Sequence, residues 1–189
     1  MAHVRIDPPL TVDELTVREY RLSDLEQLDA AIVRNREYLL PWIGPWITEE
    51  PIGLERRREL VQGWVDTYAT GGDNAVGIFI GDEFVGSTGL HDRNEPADVE
   101  IGYWVDEAHQ GRRIATRVSA ALVELAFRHP DVGRVLIIHD IDNVKSRRVP
   151  EALGFHEIES LATCGERPGV TWALTRDEWT ARATDRSPH

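Results

Sequence analysis

The sequence predicts an α+β fold with a mixed, mostly antiparallel central sheet of about seven strands and helices on both faces. The predicted elements follow the order β-α-α-β-β-β-α-β-α-β-β, in which short turns give antiparallel pairs and one β-α-β unit gives a parallel pair. Residues 135–138, Val-Leu-Ile-Ile, form a continuous apolar run, as is typical of a central strand buried on both faces. The β-α-β unit around this run therefore marks the middle of the sheet.

Apolar spacing and turn residues define the elements in the first half of the chain. Ser23 is expected to cap a helix, and Glu26 would complete a capping box. The other predicted elements of this half are a strand over 15–21, a helix over 55–68, and strands over 75–80 and 84–90 joined by a turn at 81–83.

The second half of the chain contains the predicted parallel unit. Asn143 is expected to cap a helix that ends before Gly154, since glycine is favoured just after a helix end. The other predicted elements are strands over 99–105, 135–138, 155–164 and 170–174, a helix over about 114–128, and a short helix over 176–183.

Length and composition favour one soluble domain. The chain has 189 residues, 41% hydrophobic and 29% charged, and we expect a core over about 15–179 with a polar tail over 183–189. No apolar run approaches the roughly 18 residues of a membrane span, and the first residues carry no apolar signal core. We therefore expect a cytoplasmic protein that has no membrane partner. Cys164 is the single cysteine, which excludes an internal disulfide and a cysteine-based zinc site.

The charge is strongly negative overall but locally positive. The chain carries 21 Lys and Arg against 33 Asp and Glu, a formal net charge of −12. Such a surface repels nucleic acid and favours a cationic partner such as an amine, although acidity also serves solubility alone. Basic residues cluster at 112–117 and at 145–148. These two clusters indicate a local anionic ligand.

The segment 110–116 opens the predicted helix after the strand 99–105. A helix N-terminus offers unpaired N–H groups to phosphate, Gly111 and Ala115 permit close approach, and Arg112 and Arg113 add charge. A solvated helix start with surface arginines is the alternative. No Walker A motif occurs, and no Gly-x-Gly-x-x-Gly follows a strand, which disfavours an NTPase and a nicotinamide dehydrogenase.

Two further segments hold candidate site residues. Asn143 offers an amide donor and acceptor to an amide-bearing ligand, or it serves only as a cap, and Ser146 follows one turn later. Residues 39–46 read Leu-Leu-Pro-Trp-Ile-Gly-Pro-Trp, which is too apolar for a solvated loop and too interrupted for a long helix. Trp42 and Trp46 are therefore expected either to line a pocket or to fill core.

Together these segments resemble the GNAT superfamily of acyl-CoA-dependent N-acyltransferases, in its RimJ/RimL-like branch. Residues 100–105 followed by 110–116 resemble its pyrophosphate-binding motif, Gln/Arg-x-x-Gly-x-Gly/Ala, with Arg113 at the usual glycine. Asn143-x-x-Ser146 with Pro150-x-x-Leu153-Gly154-Phe155 resembles the signature of the branch, and the Pro-Trp pairs at 41–46 resemble its N-terminal loop. The likeness covers about residues 15–179.

The resemblance implies a sheet that splays between its two central parallel strands, with acetyl-CoA as co-substrate and no metal. Backbone groups near Val105 would meet pantetheine, as would Asn143, and Ser146 would lie near the thioester sulfur. The residues implied to hold the pyrophosphate are Gln110, Gly111, Arg112, Arg113, Ile114, Ala115 and Thr116. The implied partners are an amine acceptor, a protein N-terminus or a small molecule, and a second copy in a homodimer.

The implied reaction is direct attack of a neutral amine on the acyl carbonyl, for which the amine must first lose a proton. Glu100 is the candidate base, acting through water, and Ser146 is the candidate donor to the leaving thiolate. His91 and His139 are alternative bases, and His91, Trp42 and Trp46 are expected at the acceptor side. Two alternatives stay open. One is succinyl transfer, which a pocket arginine among Arg34, Arg36 and Arg93 would favour. The other is a non-catalytic acyl-CoA-binding role.

Overall fold

The computed structural model describes residues 4–7, 9–43, 53–70, 74–92, 98–158, 163–164 and 167–185. Its strands are β1 Leu10–Val12, β2 Leu15–Glu19, β3 Asn74–Ile80, β4 Glu83–Asp92, β5 Asp98–Val105, β6 Arg134–Asp140, β7 His156–Ile158, β8 Thr163–Cys164 and β9 Arg167–Thr175. Its helices are α1 Leu25–Arg34, α2 Arg36–Leu39, α3 Leu54–Ala69, α4 Ile114–Phe127, α5 Val144–Leu153 and α6 Arg176–Asp185. Within these ranges, no helix combines the length and the apolar character needed to span a bilayer.

The strands form one mixed sheet in the order β1-β2-β3-β4-β5-β6-β9-β7, and β8 pairs with β9 beside it. Each pair is antiparallel except β5 and β6, which run parallel because α4 crosses over between them. The prediction of a mostly antiparallel sheet with one central parallel pair is therefore confirmed. The β1 strand, which the sequence analysis did not predict, adds one strand at the edge.

The two parallel strands separate soon after they begin. Their pairing runs through three positions and ends at Glu100 opposite Leu136. Beyond that point β5 continues along β4 to Val105, while β6 continues along β9 to Asp140. The two strands thus leave a gap between them, and the predicted splay is confirmed.

The two faces of the sheet carry separate cores, because side chains alternate along each strand. On one face, Val99 and Ile101 of β5 pack with Val118 and Leu122 of α4, all at most 3% exposed. On the other face, Trp104 of β5 packs with residues of α1 and α3. The members of this second core from those two helices are Leu25, Leu28, Ala31, Ile32, Val61, Trp64 and Val65. Helices therefore cover both faces, as predicted.

The start of α1 differs from the prediction. Residues 22–24 form a 3-10 turn, the N-cap position is Asp24 rather than Ser23, and no capping box joins Ser23 to Glu26. The Asp24 carboxylate instead accepts hydrogen bonds from the Arg21 N–H at 2.8 Å and from the Arg18 guanidinium at 2.8 and 2.9 Å. A charged partner on β2 makes Asp24 the stronger acceptor, so the turn is organised one residue later.

Two other segments depart from the expected bounds. Of the strand predicted over 155–164, the structure describes β7 at His156–Ile158 and β8 at Thr163–Cys164, and residues 159–162 lie outside the described part of the chain. The last helix extends to Asp185, three residues into the predicted tail over 183–189. Of the aromatic segment 39–46, Leu39 is the last residue of the short helix α2, residues 40–43 form a turn, and Trp46 lies outside the described residues.

Candidate active site

A cavity of about 430 Å³ opens where β5 and β6 separate. It is lined by the ends of β5 and β6, the loop before α4, the first turns of α4 and α5, and the α2 region. Its lining residues are Tyr38, Leu39, Trp42, Ile43, Tyr103, Trp104, Val105, His109, Gln110, Gly111, Arg113, Ile114, Ala115, Thr116, Ile138, His139, Asp140, Asn143, Lys145, Ser146, Arg148 and Val149. Most residues that the sequence analysis assigned to a site thus lie around one cavity.

The loop that opens α4 has left-handed backbone at two positions. Gly111 has φ 78°, and Arg113, the N-cap of α4, has φ 57° and ψ 24°. A residue with a Cβ pays roughly 1–2 kcal/mol in this region, whereas glycine does not. This cost explains why glycine is usual at the position of Arg113 in the motif. The Arg113 backbone nevertheless adopts the required turn, and its side chain lies at the cavity.

Two arginines of the first basic cluster are engaged away from the cavity. Arg117 pairs with Asp13 and Glu14 at 2.9 Å, and Arg112 lies 3.6 Å from Glu14 and does not line the cavity. The hydrogen bond from Arg117 lowers the pKa of Glu14 to about 2. Arg112, which the resemblance implies would bind the pyrophosphate, and Arg117 therefore both face Glu14 in this structure.

Three cations do line the cavity: Arg113, Lys145 and Arg148. Among the carboxylates that the structure describes, none forms an ion pair with any of the three. The Lys145 ammonium instead donates to Gln110 Oε1 at 3.0 Å and lies 5.0 Å from the centre of the Tyr38 ring. This positive charge, combined with the N-terminus of α4, suits an anionic ligand.

The start of α5 places Asn143 and Ser146 at the cavity. Asn143 Oδ1 accepts a hydrogen bond from the Ser146 N–H at 3.0 Å, which confirms the predicted cap. Gly154 ends the helix with φ 81°, as predicted. Because the cap uses the Asn143 oxygen, its amide nitrogen is the part of the side chain left for a ligand.

Tyr103 is a site residue that the sequence analysis did not identify. Its hydroxyl lies 3.0 Å from Ser146 Oγ and 3.1 Å from the Ser146 carbonyl oxygen, to which it donates. Burial raises the pKa of Tyr103, so the phenol stays protonated at neutral pH. Its place on β5, two residues before Val105 and on the same face of the strand, was the available signal.

His139 is fully engaged and does not suit the role of base. It is 4% exposed, its Nε2 accepts from Trp172 Nε1 at 2.9 Å, and its Nδ1 lies 2.8 Å from the Asp140 carbonyl oxygen. Because an indole N–H only donates, Nε2 must be unprotonated, and the proton on Nδ1 is donated to that carbonyl. Neither nitrogen is left to accept a proton from an amine.

Glu100 and His91 lie outside the cavity lining. They are direct cross-strand neighbours on β5 and β4, at the last position where β5 still pairs with β6. The His91 ring covers Gly102, where an added Cβ would lie 3.2 Å from Nε2. Both side chains are thus on the sheet face that carries Trp104, one step before the gap opens. The role of Glu100 as base stays a prediction and needs a water chain.

The α2 region forms one wall of the cavity. Tyr38, Leu39, Trp42 and Ile43 all line it, and Trp42 is half-buried, with the Arg167 guanidinium 5.6 Å from its ring centre. Trp42 therefore lies at the cavity rather than in the core. Trp46, the second tryptophan expected at the acceptor side, lies outside the residues that the structure describes.

Two contacts hold this wall to the loop before α4. Asn35, 1% exposed, accepts the Glu107 N–H at 2.8 Å, and the Arg34 guanidinium pairs with the buried carboxylate of Asp106. Arg34 and Arg36 do not line the cavity, and Arg93 lies outside the described residues. In the described part of the chain, His, Cys, Asp and Glu side chains form no group of three that could hold a metal ion.

Comparison with known proteins agrees with this geometry. A family model described as "Acetyltransferase (GNAT) domain" matches residues 14–156. YdaF of Bacillus subtilis (strain 168), whose name provisionally describes a ribosomal N-acetyltransferase, is 30% identical over 175 residues, covering 88% of this chain and 94% of that protein. The ribosomal-protein-serine acetyltransferase of Escherichia coli (strain K12) is 35% identical over 144 residues, covering 74% of this chain and 75% of that protein.

Solved structures give the same result. RimL, described as a ribosomal L7/L12 α-N-protein acetyltransferase and solved in complex with coenzyme A, superposes with a TM-score of 0.76 at 25% identity. The match covers 90% of this chain and 99% of RimL. The family model covers well over half of the chain, and RimL shares the fold of this chain over nearly its whole length. This chain belongs to the GNAT acetyltransferase family.

Proposed function

We propose that this protein transfers the acetyl group of acetyl-CoA to the N-terminal amine of a protein. The observation that carries the proposal is the cavity in the gap between β5 and β6, which is lined by cations and a helix N-terminus and also by an aromatic wall. The first suits a phosphorylated co-substrate, and the second suits an acceptor. The names of the relatives, which specify ribosomal proteins, support a protein acceptor.

Acetyl-CoA is assigned to the gap by the chemistry of its lining. The loop from Gln110 to Thr116 would bind the pyrophosphate through backbone N–H groups, and Arg113 would contribute charge. The unpaired backbone of β5 near Val105 and the Asn143 amide would bind the pantetheine amides. Arg112, which faces Glu14, is the one residue of the predicted set that we remove from this role.

The chemistry then follows from the position of Ser146. The amine nitrogen attacks the acetyl carbonyl carbon, the carbon–sulfur bond breaks, and the amine proton leaves through water toward Glu100. The Ser146 hydroxyl donates a hydrogen bond to the developing thiolate, because a serine is too weak an acid to give up its proton fully. Acetyl is favoured over succinyl by the names of the relatives, and neither Arg34, which is paired with Asp106, nor Arg36 lines the cavity, where either could have bound a succinyl carboxylate.

An N-terminal peptide is favoured over a small amine by the wall built from Tyr38, Trp42 and Ile43, which offers an apolar surface for side chains beyond the amine. The net charge of −12 attracts a cationic partner of either kind. We further propose that the enzyme acts in the cytoplasm and as a homodimer. Sedimentation at assay concentration tests the second point, and a monomeric mass would contradict it.

The function is tested by release of free thiol from acetyl-CoA in the presence of peptides. Peptides with free N-termini taken from ribosomal proteins should support turnover, whereas the same peptides with blocked N-termini should not. Turnover with succinyl-CoA alone would reassign the acyl group, and turnover only with small amines would reassign the acceptor. Binding of acetyl-CoA without turnover on any amine would contradict the proposal and indicate a non-catalytic binding protein.

A further inference from the structure

The helix that carries Ser146 contains a break in its hydrogen bonding. In an α-helix the carbonyl of Ser146 would accept the N–H of residue 150, but that residue is Pro150, which has no N–H. The Tyr103 hydroxyl donates to this carbonyl at 3.1 Å. A side chain of β5 therefore supplies the donor that the sequence of α5 removes.

The same hydroxyl contacts the side chain of Ser146. Tyr103 Oη and Ser146 Oγ are 3.0 Å apart, so one phenol meets both oxygens of one residue at nearly equal distances. Two contacts on the backbone and side chain of Ser146 fix its χ1 rotamer as well as the position of its helix turn. Tyr103 and Ser146 both line the cavity, so this contact joins β5 to α5 at the site itself.

We propose that Tyr103 is a positioning residue, which holds the Ser146 hydroxyl at the place where the thiolate of CoA develops. The inference rests on the proposed acetyl transfer. While the thioester is intact, the Ser146 hydroxyl donates to Tyr103 Oη, and Tyr103 donates to the Ser146 carbonyl. When the carbon–sulfur bond breaks, the Ser146 hydroxyl turns to donate to sulfur, while Tyr103 keeps its hydrogen bond to the carbonyl and so holds the helix turn in place. No covalent bond to either residue forms, and the proton count of the pair is unchanged.

Pro150 makes this role separable from simple stability. Tyr103→Phe keeps the ring but removes the hydroxyl, which leaves the Ser146 carbonyl without its donor and should lower the melting temperature. Pro150→Ala restores a backbone N–H to that carbonyl. The combined variant Tyr103→Phe/Pro150→Ala should therefore regain thermal stability and still lack the contact with Ser146 Oγ.

The experiment measures kcat, KM for acetyl-CoA and melting temperature for wild type, Tyr103→Phe, Ser146→Ala, their double variant, and Tyr103→Phe/Pro150→Ala. We expect Tyr103→Phe to lower kcat about tenfold with KM for acetyl-CoA nearly unchanged, as for loss of one hydrogen bond. The double variant should be no slower than Ser146→Ala, because both changes remove one interaction. Pro150→Ala should restore the melting temperature of Tyr103→Phe but not its kcat.

Several results would overturn the inference. Full kcat in Tyr103→Phe, or multiplicative losses in the double variant, would show that Tyr103 does not act through Ser146. Recovery of kcat together with melting temperature in Tyr103→Phe/Pro150→Ala would assign Tyr103 a purely structural role. In each of these cases the wild type still turns over. A wild type that transfers no acetyl group to any amine would overturn the proposed function, and this inference with it.

Discussion

The Ser146 N–H donates to Asn143 Oδ1 across 3.0 Å, so the residue that caps α5 also fixes the turn on which Ser146 lies. Asn143 thus has two functions that substitutions can separate. Asn143→Ala removes the cap, which costs about 1 kcal/mol of unfolding free energy, and removes the amide that we assign to pantetheine. Asn143→Ser keeps a capping oxygen, so it should unfold like wild type in urea and still bind acetyl-CoA more weakly. Wild-type affinity in Asn143→Ser would limit Asn143 to capping.

Ser146→Ala tests the donor at the leaving sulfur. We expect kcat to fall about tenfold while KM for acetyl-CoA changes little, because the interaction is made only as the thiolate develops. Steady-state kinetics on the preferred peptide measures both constants. Unchanged kcat would exclude Ser146 from catalysis, and a raised KM with unchanged kcat would make it a binding residue instead.

Arg113→Gly tests the charge at the loop before α4. The left-handed backbone costs Arg113 roughly 1–2 kcal/mol, and the gain from glycine is partly cancelled by the freedom it adds to the unfolded chain. Stability should therefore stay within about 1 kcal/mol of wild type, while the Kd for acetyl-CoA rises about tenfold. The matched control is Arg112→Ala, which removes a cation facing Glu14. An equal rise of Kd in both variants would show that acetyl-CoA binding depends on the overall electrostatic field of the protein and not on Arg113 in particular.

Trp42→Ala tests the acceptor wall. Trp42 is half-buried at the cavity, so we expect KM for the acceptor peptide to rise several-fold while KM for acetyl-CoA and the melting temperature change little. Phe84→Ala is the contrasting core variant, since Phe84 is 1% exposed and such a truncation costs about 3–5 kcal/mol. A Trp42→Ala protein that melts as low as Phe84→Ala would place Trp42 in the core, and unchanged acceptor kinetics would remove it from the site.

Acid should weaken the ion pair between Arg34 and Asp106, which joins the α2 region to the loop before α4. Burial alone would raise the pKa of Asp106, but hydrogen bonds from Arg34 and from the Ala108 N–H lower it overall. A carboxyl with a lowered folded pKa stabilises the protein above its unfolded pKa of about 4, and this contribution is lost as pH falls through the folded pKa. Urea unfolding from pH 6 to pH 3 should therefore show wild type and Asp106→Asn converging below about pH 4. A constant difference between them would contradict the assignment.

Local signals explain which parts could be predicted from sequence. The apolar run at 135–138, the cap at Asn143 and the glycine at Gly154 each depend on a few neighbouring residues, and all three predictions are confirmed. The loop 110–116 was identified by its spacing after a strand. Such features are decided by backbone geometry within one or two turns, so the chain itself shows them.

Long-range partners explain what could not be predicted. Arg117 pairs with Glu14, 103 positions away in the chain. No residue near Arg117 in the sequence shows that its guanidinium is engaged in an ion pair. His139 is engaged by Trp172 because β6 and β9 are neighbours, a pairing that spacing alone does not specify. In the sequence, Tyr103 is one of several alternating residues of a strand, and only the structure shows that its hydroxyl contacts Ser146 of α5. The structure supplied these partners, which removed His139 as an alternative base and Arg112 from the residues proposed to bind the pyrophosphate, while Glu100 stays the candidate base.

Binding of acetyl-CoA in the gap between β5 and β6 is the claim on which the other assignments depend, and thermal unfolding tests it most directly. A ligand that binds only the folded state at 100 times its Kd adds about 2.7 kcal/mol to the unfolding free energy. The protein should therefore melt several degrees higher with acetyl-CoA, and the shift should be much smaller with ATP or NAD and reduced in Arg113→Gly. An unchanged melting temperature at millimolar acetyl-CoA would contradict the account.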